Sequence, residues 1–149
     1  MKELKVTAIE NGSVIDHIPT DNTFNVIGIL KLDRHDDTIL IATNLPSKKL
    51  GKKGIVKVSG RQLTKDEANK IALVAPDATI NIIKDFEIVE KLKASLPKQL
   101  VNVSKCFNPN CITNRDSVVP KLCVESARPL RLRCEYCERS MTQKDIQLV

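Results

Sequence analysis

Four of the five cysteines in this chain of 149 residues stand in two short brackets, Cys106-x4-Cys111 and Cys134-x2-Cys137, with 22 residues between them. Each bracket turns the backbone so that two sulfurs face one point, and two brackets supply the four thiolates of a tetrahedral site. Four protein ligands leave no position for water or substrate, so such a site holds a fold together and does no chemistry. The expectation is one structural Zn²⁺ per chain on Cys106, Cys111, Cys134 and Cys137. Two disulfides or an iron–sulfur cluster would use the same residues. The N-terminal run MKELKVTAIENG has no continuous apolar core like that of a signal peptide, so a cytoplasmic location is expected. In that reducing compartment clustered thiols point to metal first. Cys123 lies off the spacing and is expected to be a small buried apolar residue.

A second set of polar side chains sits inside apolar runs. In SVIDHI, alternation would put Asp16 on one face with Val14 and Ile18, and His17 on the other with Ile15. Lys57 and Lys91 stand at or near strand ends, and Asn81 lies within ATINIIK. Taken singly, each has a plain reading: lysines reach for water and His17 sits on an edge. Together, two lysines, a histidine and an aspartate on one small sheet suit a phosphorylated, hydroxylated ligand such as a nucleoside triphosphate. The chain has no Gly-rich phosphate loop, which excludes a P-loop site. Asp16 and His17 have no nucleophile beside them, so a catalytic role is not expected.

The elements that must carry these residues alternate. Ser13 to Ile18 reads as a strand bounded by Asn11-Gly12 and Pro19. Phe24, Ile27 and Leu30 would stripe a helix over Asn22 to Leu32, capped by Asp21 or Asn22. Thr38 to Thr43 is a β-branched strand, the lysine-rich SKKLGKKG a loop, and Ile55 to Val58 a further strand. Thr64 and Glu67 form a capping box for a helix to Ala75, with Ala68, Ile71, Ala72 and Ala75 as its apolar stripe. Two strands, Ala78 to Lys84 and Phe86 to Lys91, meet around Asp85.

That order predicts an α+β fold, a ferredoxin-like antiparallel sheet with two helices on one face, whose free edge can pair with another copy. Leu92 to Leu100 reads as a linker broken by Pro97. Beyond it, cysteines, asparagines and arginines replace long apolar runs. The expected domains are therefore 1–97 and 98–149, the second a small all-β zinc ribbon of the rubredoxin-like kind. About fifty residues bury too little apolar surface to be stable without a metal.

Charge narrows the partners. The net charge is +6, split as 15 basic against 13 acidic residues up to Pro97 and 9 against 5 beyond it. Four thiolates on one Zn²⁺ would lower the second figure by two. A mild, divided excess is a weak argument for binding DNA, and no stretch reaches the roughly 18 apolar residues of a membrane span, so neither nucleic acid nor membrane is expected as a partner. A free-standing nucleic-acid-binding zinc ribbon is the competing reading, resting on Arg128, Arg131 and Arg133. It lacks the aromatic residues on which bases stack, and a salt-titrated DNA-binding assay set against nucleoside-triphosphate calorimetry separates the two.

The runs Gly12-Ser13-Val14-Ile15-Asp16-His17-Ile18-Pro19, Asn44-Leu45-Pro46-Ser47, Leu73-x-Ala75-Pro76-x-Ala78-Thr79-x-Asn81 and Ser95-Leu96-Pro97 resemble the regulatory chains of aspartate carbamoyltransferase. So do Cys106-x-Asn108-x-Asn110-Cys111-Ile112 and Cys134-x-Tyr136-Cys137-Glu138. The motifs occur in order over nearly the whole chain. The resemblance implies a non-catalytic subunit that pairs with itself and joins the catalytic chain in a hetero-oligomer controlling pyrimidine biosynthesis. It would bind CTP as feedback inhibitor and ATP as activator. By matching position, Asp16 would contact the ribose, His17 and Lys91 the phosphates, and Lys57 the ribose and base. Ile9 and Phe86 would offer backbone groups to the base, with Val14, Asn81, Ile83 and Ile88 lining the pocket. Asn108, Asn110 and Glu138 would face the catalytic chain. Phe86 stands where a known relative has tyrosine, and Thr7 where that relative has glutamate.

Overall fold

The computed structural model describes residues 9–127 and 129–147, so Thr7 and Arg128 lie outside the described residues. The chain divides into two compact units between Ser95 and Leu96.

The N-terminal unit is one antiparallel sheet with two helices. Its elements are β1 (Gly12–Pro19), α1 (Thr23–Ile29), β2 (Ile39–Ser47), β3 (Gly51–Ser59), α2 (Lys65–Ile71), β4 (Thr79–Lys84) and β5 (Glu87–Lys93). The sheet order is β2-β3-β1-β4-β5. The first four strands and both helices make the ferredoxin-like split βαβ arrangement, and β5 extends it by a hairpin. Asp85 and Phe86 form the two-residue turn of that hairpin, both with positive φ, as a tight turn matching the strand twist requires.

One face of the sheet is the core. Ile15, Val56, Val58, Ile80 and Ile82 are buried there, together with Val26 of α1 and Ala68 and Ile71 of α2. Ser13, also buried, escapes a polar penalty because its hydroxyl donates to the Arg61 carbonyl (2.8 Å) and accepts from the Leu63 N–H (3.0 Å). The capping box of α2 is formed as its sequence implies: Thr64 Oγ1 accepts from the Glu67 N–H at 3.2 Å, and Glu67 accepts from the Thr64 N–H at 3.1 Å.

Three local expectations change. Alternation fails in β1, where the pairing with β3 slips between Ile15 and Ile18 and His17 takes a φ of 60°. This bulge returns Ile18 to the core beside Ile15. In α1 the inward side chains are Thr23 and Val26, followed by Leu30, whereas Phe24 points out. The reason is docking: Thr23 packs against Gly54, where a Cβ would collide with it. Asn22 makes no cap and instead donates from Nδ2 to the Val74 carbonyl at 2.8 Å. The lysine-rich segment is mostly strand, because β2 and β3 continue to Ser47 and from Gly51. Lys52 and Lys53 are therefore strand residues, and the turn is only Lys48 to Leu50.

In the C-terminal unit β6 (Gln99–Val101), β7 (Lys121–Ala127), β8 (Leu130–Cys134) and β9 (Ser140–Thr142) form a meander in sequence order. A one-turn helix, α3 (Ile112–Arg115), follows the first cysteine bracket. Leu100, Leu122, Leu132 and Met141 supply the core. The expected linker shrinks: Leu92 and Lys93 belong to β5, Ala94 is tied by its N–H to the Ala78 carbonyl (3.1 Å), and Gln99 and Leu100 belong to β6. Among the described residues no helix is long and apolar enough to cross a membrane.

Candidate functional sites

In the C-terminal unit the ligand atoms of Cys106, Cys111, Cys134 and Cys137 all lie within 4.8 Å of one another. Sulfurs bound to Zn²⁺ at about 2.3 Å in a tetrahedron stand about 3.8 Å apart. Across the brackets, Cys106 and Cys137 are 3.6 Å apart and Cys111 and Cys134 are 3.7 Å apart. These separations are far beyond a disulfide bond of about 2.05 Å, and all four thiols are free. The donor set and its spacing fit a tetrahedral metal ion.

Backbone turns fix the sulfurs. Cys111 N–H donates to the Asn108 carbonyl (3.0 Å). Asn114 Nδ2 reaches the carbonyls of Cys106 and Asn108, both at 2.8 Å. The second bracket closes with Glu138 N–H on the Cys134 carbonyl (2.9 Å), Glu138 sitting at φ 63°. Burial raises the thiol pKa of Cys106 and Cys134. Burial acts the same way on Cys137, yet hydrogen bonds from the Arg139 backbone and from the Asn108, Cys106 and Cys134 side chains bring it down to about 7.

Of the three residues expected at a subunit interface, Asn110 and Glu138 are exposed. Asn108 is 9% exposed, and its Oδ1 accepts from the Asn110 N–H at 3.1 Å. Phe107, Ile112 and Tyr136, beside the cysteines, are exposed apolar side chains. Cys123 is half-buried and donates to Glu135 at 3.4 Å. It lies on the outward face because it pairs with Gln99 and Arg133. Arg131 and Arg133 share that outer face and are solvated.

The N-terminal unit carries the second site on the sheet face opposite the helices. Directly opposed residues share a face, and the register aligns Lys57, Val14, Asn81 and Lys91 in one row across β3, β1, β4 and β5. One step along, Asp16, Thr79 and Lys93 form a second row. In the other direction Gly12 meets Ile83, which pairs with Ile88. The β1 bulge brings His17 to this face too, with Nδ1 3.0 Å from Thr79 Oγ1.

A cleft of about 420 Å³ opens here, lined by Asp16, His17, Lys49, Asp77, Thr79, Asn81, Lys91, Leu92 and Lys93. Asp16 accepts from the His17 N–H at 2.6 Å and from Lys53 Nζ at 2.9 Å. Desolvation lowers the Lys57 pKa, and attraction to Asp16 offsets part of that fall. Val14, Lys57, Ile83, Ile88 and Phe86 continue the face beyond the cleft. Ile9 is buried, and the Phe86 N–H donates to the Glu10 carbonyl at 2.9 Å. Lys93, Thr79, Lys49 and Asp77 escaped the sequence reading. Lys93 was within reach of it, since it follows Lys91 at the two-residue spacing that keeps one strand face.

The aspartate carbamoyltransferase regulatory chain allosteric domain matches residues 4–95, and the metal-binding domain of the same chain matches residues 98–147. The aspartate carbamoyltransferase regulatory chain of Thermococcus gammatolerans is 54% identical over 147 residues, covering 98% of this chain and 97% of the relative. That of Pyrococcus abyssi is 53% identical over 148 residues, with coverages of 98% and 97%. That of Thermococcus sibiricus is 54% identical over 143 residues, with coverages of 96% and 95%. The division into a polar sheet face and a four-cysteine ribbon follows the same two-part plan, and the chain belongs to the family of aspartate carbamoyltransferase regulatory chains.

Proposed function

We propose that this chain binds CTP and ATP on the open face of its N-terminal sheet and carries their signal to a catalytic chain engaged by its zinc-bearing unit. The observation that supports this most is the row of Lys57, Val14, Asn81 and Lys91, flanked by Asp16, His17 and Lys93. Cations gather at the cleft end of the face, where a triphosphate would lie. Lys57 and Asp16 can reach ribose hydroxyls, and Ile83 and Ile88 offer an apolar wall for a base. Ile9 and Phe86 would supply backbone groups to its edge.

Zn²⁺ on Cys106, Cys111, Cys134 and Cys137 would cross-link two turns that the small core cannot hold alone. Asn110 and Glu138, with Phe107, Ile112 and Tyr136 around them, then form the surface for the catalytic chain. Asn108 would act from beneath by holding Asn110 and Cys137. Pairing of two copies through the N-terminal unit completes the regulatory dimer in the cytoplasm.

Calorimetry with CTP and ATP on the zinc-loaded protein, followed by co-purification with the catalytic chain and activity with and without CTP, tests the reading. Binding of both nucleotides at one site per chain, lost together in Lys91→Ala, is expected. Nucleotide binding unaffected by Lys91→Ala would place the site elsewhere.

A further inference from the structure

Two lysines of the β2–β3 hairpin face the two carboxylates of the cleft, and they do so very differently. Lys53 Nζ is 2.9 Å from Asp16, with both side chains mostly buried. Lys49 Nζ is 3.9 Å from Asp77, and its side chain is 61% exposed against 20% for Asp77. Lys91 and Lys93, on β5, have no carboxylate within ion-pair distance among the described residues. The cleft thus holds two uncommitted cations on one side and one loosely committed cation on the turn opposite.

The geometry points to Lys49 and Asp77 as a latch at the phosphate end, Lys49 leaving Asp77 for the outermost phosphate of a bound nucleoside triphosphate. This inference rests on the nucleotide-site reading above and adds to it a movable group that counts phosphates. A contact of 3.9 Å made by a lysine that is itself 61% exposed is worth little, so a phosphate oxygen, with more charge and better acceptor geometry, competes for the ammonium at small cost. The tightly held Lys53 has no such freedom. Lys49 sits on the three-residue turn between β2 and β3, and its side chain, 61% exposed, has room to swing toward a ligand. Asp77 in turn competes with the ligand for Lys49 and repels its charge.

The test is a double-mutant cycle on the full-length, zinc-loaded protein, with CTP and CMP as calorimetric probes. Lys49→Ala should weaken CTP about threefold to tenfold and leave CMP within about twofold, because a monophosphate does not reach the turn. Asp77→Asn should tighten CTP about threefold, and most of that gain should vanish when Lys49 is already alanine. Melting temperatures close to that of the parent protein would exclude misfolding. A fully additive cycle would make Asp77 a general electrostatic influence and overturn the latch. Equal weakening of CTP and CMP by Lys49→Ala would overturn it too. Wild-type protein that binds CTP while Lys49→Ala changes nothing defeats the latch alone, whereas wild-type protein that binds neither CTP nor ATP defeats the nucleotide site and the latch together.

Discussion

Among the described residues the N-terminal unit buries twenty apolar side chains, whereas the C-terminal unit buries Leu100, Leu122, Leu130, Leu132 and Met141 together with three of the four clustered cysteines. At roughly 1.5–3 kcal/mol for each fully buried large aliphatic side chain, the first unit can hold itself together and the second cannot comfortably do so. Their functional groups differ in the same sense. The open face of the N-terminal sheet lies on strands whose opposite side is packed, so a ligand there is not needed for the fold. In the ribbon the four clustered cysteines belong to the fold itself, three of them buried with its core. A unit with a large core of its own can leave Lys91 and Lys93 without an acid partner among the described residues, while the smaller unit commits four of its side chains to one cluster.

The strongest way to break that contrast is to remove the metal. Apparent binding energies of structural zinc are about 10 kcal/mol or more, so a chelator or Cys137→Ser should unfold residues beyond Leu96 and leave the N-terminal sheet intact. Hydrogen exchange should show protection lost in β7 and β8 and kept in β1 and β4, and co-purification of the catalytic chain should fail. Metal-free protein that keeps β7 and β8 protected would show that the five core side chains suffice. The converse substitution, Ile80→Ala at the centre of the N-terminal core, should cost about 3 kcal/mol and lower that unit's melting without changing zinc content.

Binding effects come next. Lys91→Ala should weaken CTP by about 1.5–3 kcal/mol, the loss of a charge-assisted contact, with no change in metal. Lys57 should behave otherwise, because its ammonium is held against its burial. Its folded pKa is lowered, so as pH rises it loses its proton in the native protein before the unfolded chain does. In that window the native state binds fewer protons and gains stability with pH from this group. An anion beside Lys57 pulls the proton back, so CTP affinity should be level near neutrality and start to fall at a pH below the ordinary lysine value of 10.5. Lys57→Met should weaken CTP and remove that alkaline fall. A variant that kept both the affinity and the fall would take Lys57 out of the site.

How much of this was legible in the sequence follows the range of the forces. The capping box of Thr64 and Glu67 and the cysteine brackets were legible, because three or four neighbouring residues decide them. The inward stripe of α1 was not, because Thr23 rather than Phe24 turns inward to meet Gly54, a contact between distant segments. The side occupied by His17 was missed for a related reason. Ile15 and Ile18 are three apart, a spacing no regular strand can bury on one face, and that was the signal for a bulge. Cross-strand rows such as Lys57, Val14, Asn81 and Lys91 depend on register, and register here is set by slips after Ile15, Ala42 and Ile82. Residue types alone do not reveal where those slips fall. The β2–β3 turn is shorter than its run of lysines implies, because Lys52 and Lys53 lie on β3, a strand paired on both sides, and Gly51 marks where that strand begins.

The smallest expected change in stability comes from the connection between the units. β5 carries Lys91 and Lys93 and ends there, and Ala94 is fastened to Ala78. Lys98 is already part of the second unit, its carbonyl accepting the Val124 N–H at 2.9 Å. Ser95, Leu96 and Pro97 are thus the three residues through which the backbone passes from one unit to the other, and Pro97 restricts their freedom. A nucleotide can bias the catalytic chain only by binding two global states with different affinity. If the difference travels along β5 into the ribbon, stiffness at these three positions is what transmits it. Replacing Ser95 to Pro97 with Gly-Ser-Gly should leave zinc content unchanged and CTP affinity of the isolated regulatory dimer within about twofold, since neither site uses these side chains. The response of holoenzyme activity to CTP and ATP should nevertheless fall markedly. Activity assays of the reassembled holoenzyme at saturating nucleotide decide it: regulation at full strength through a flexible connection would mean that the nucleotide unit acts on the catalytic chain by direct contact, and that Ser95, Leu96 and Pro97 merely tether one unit to the other.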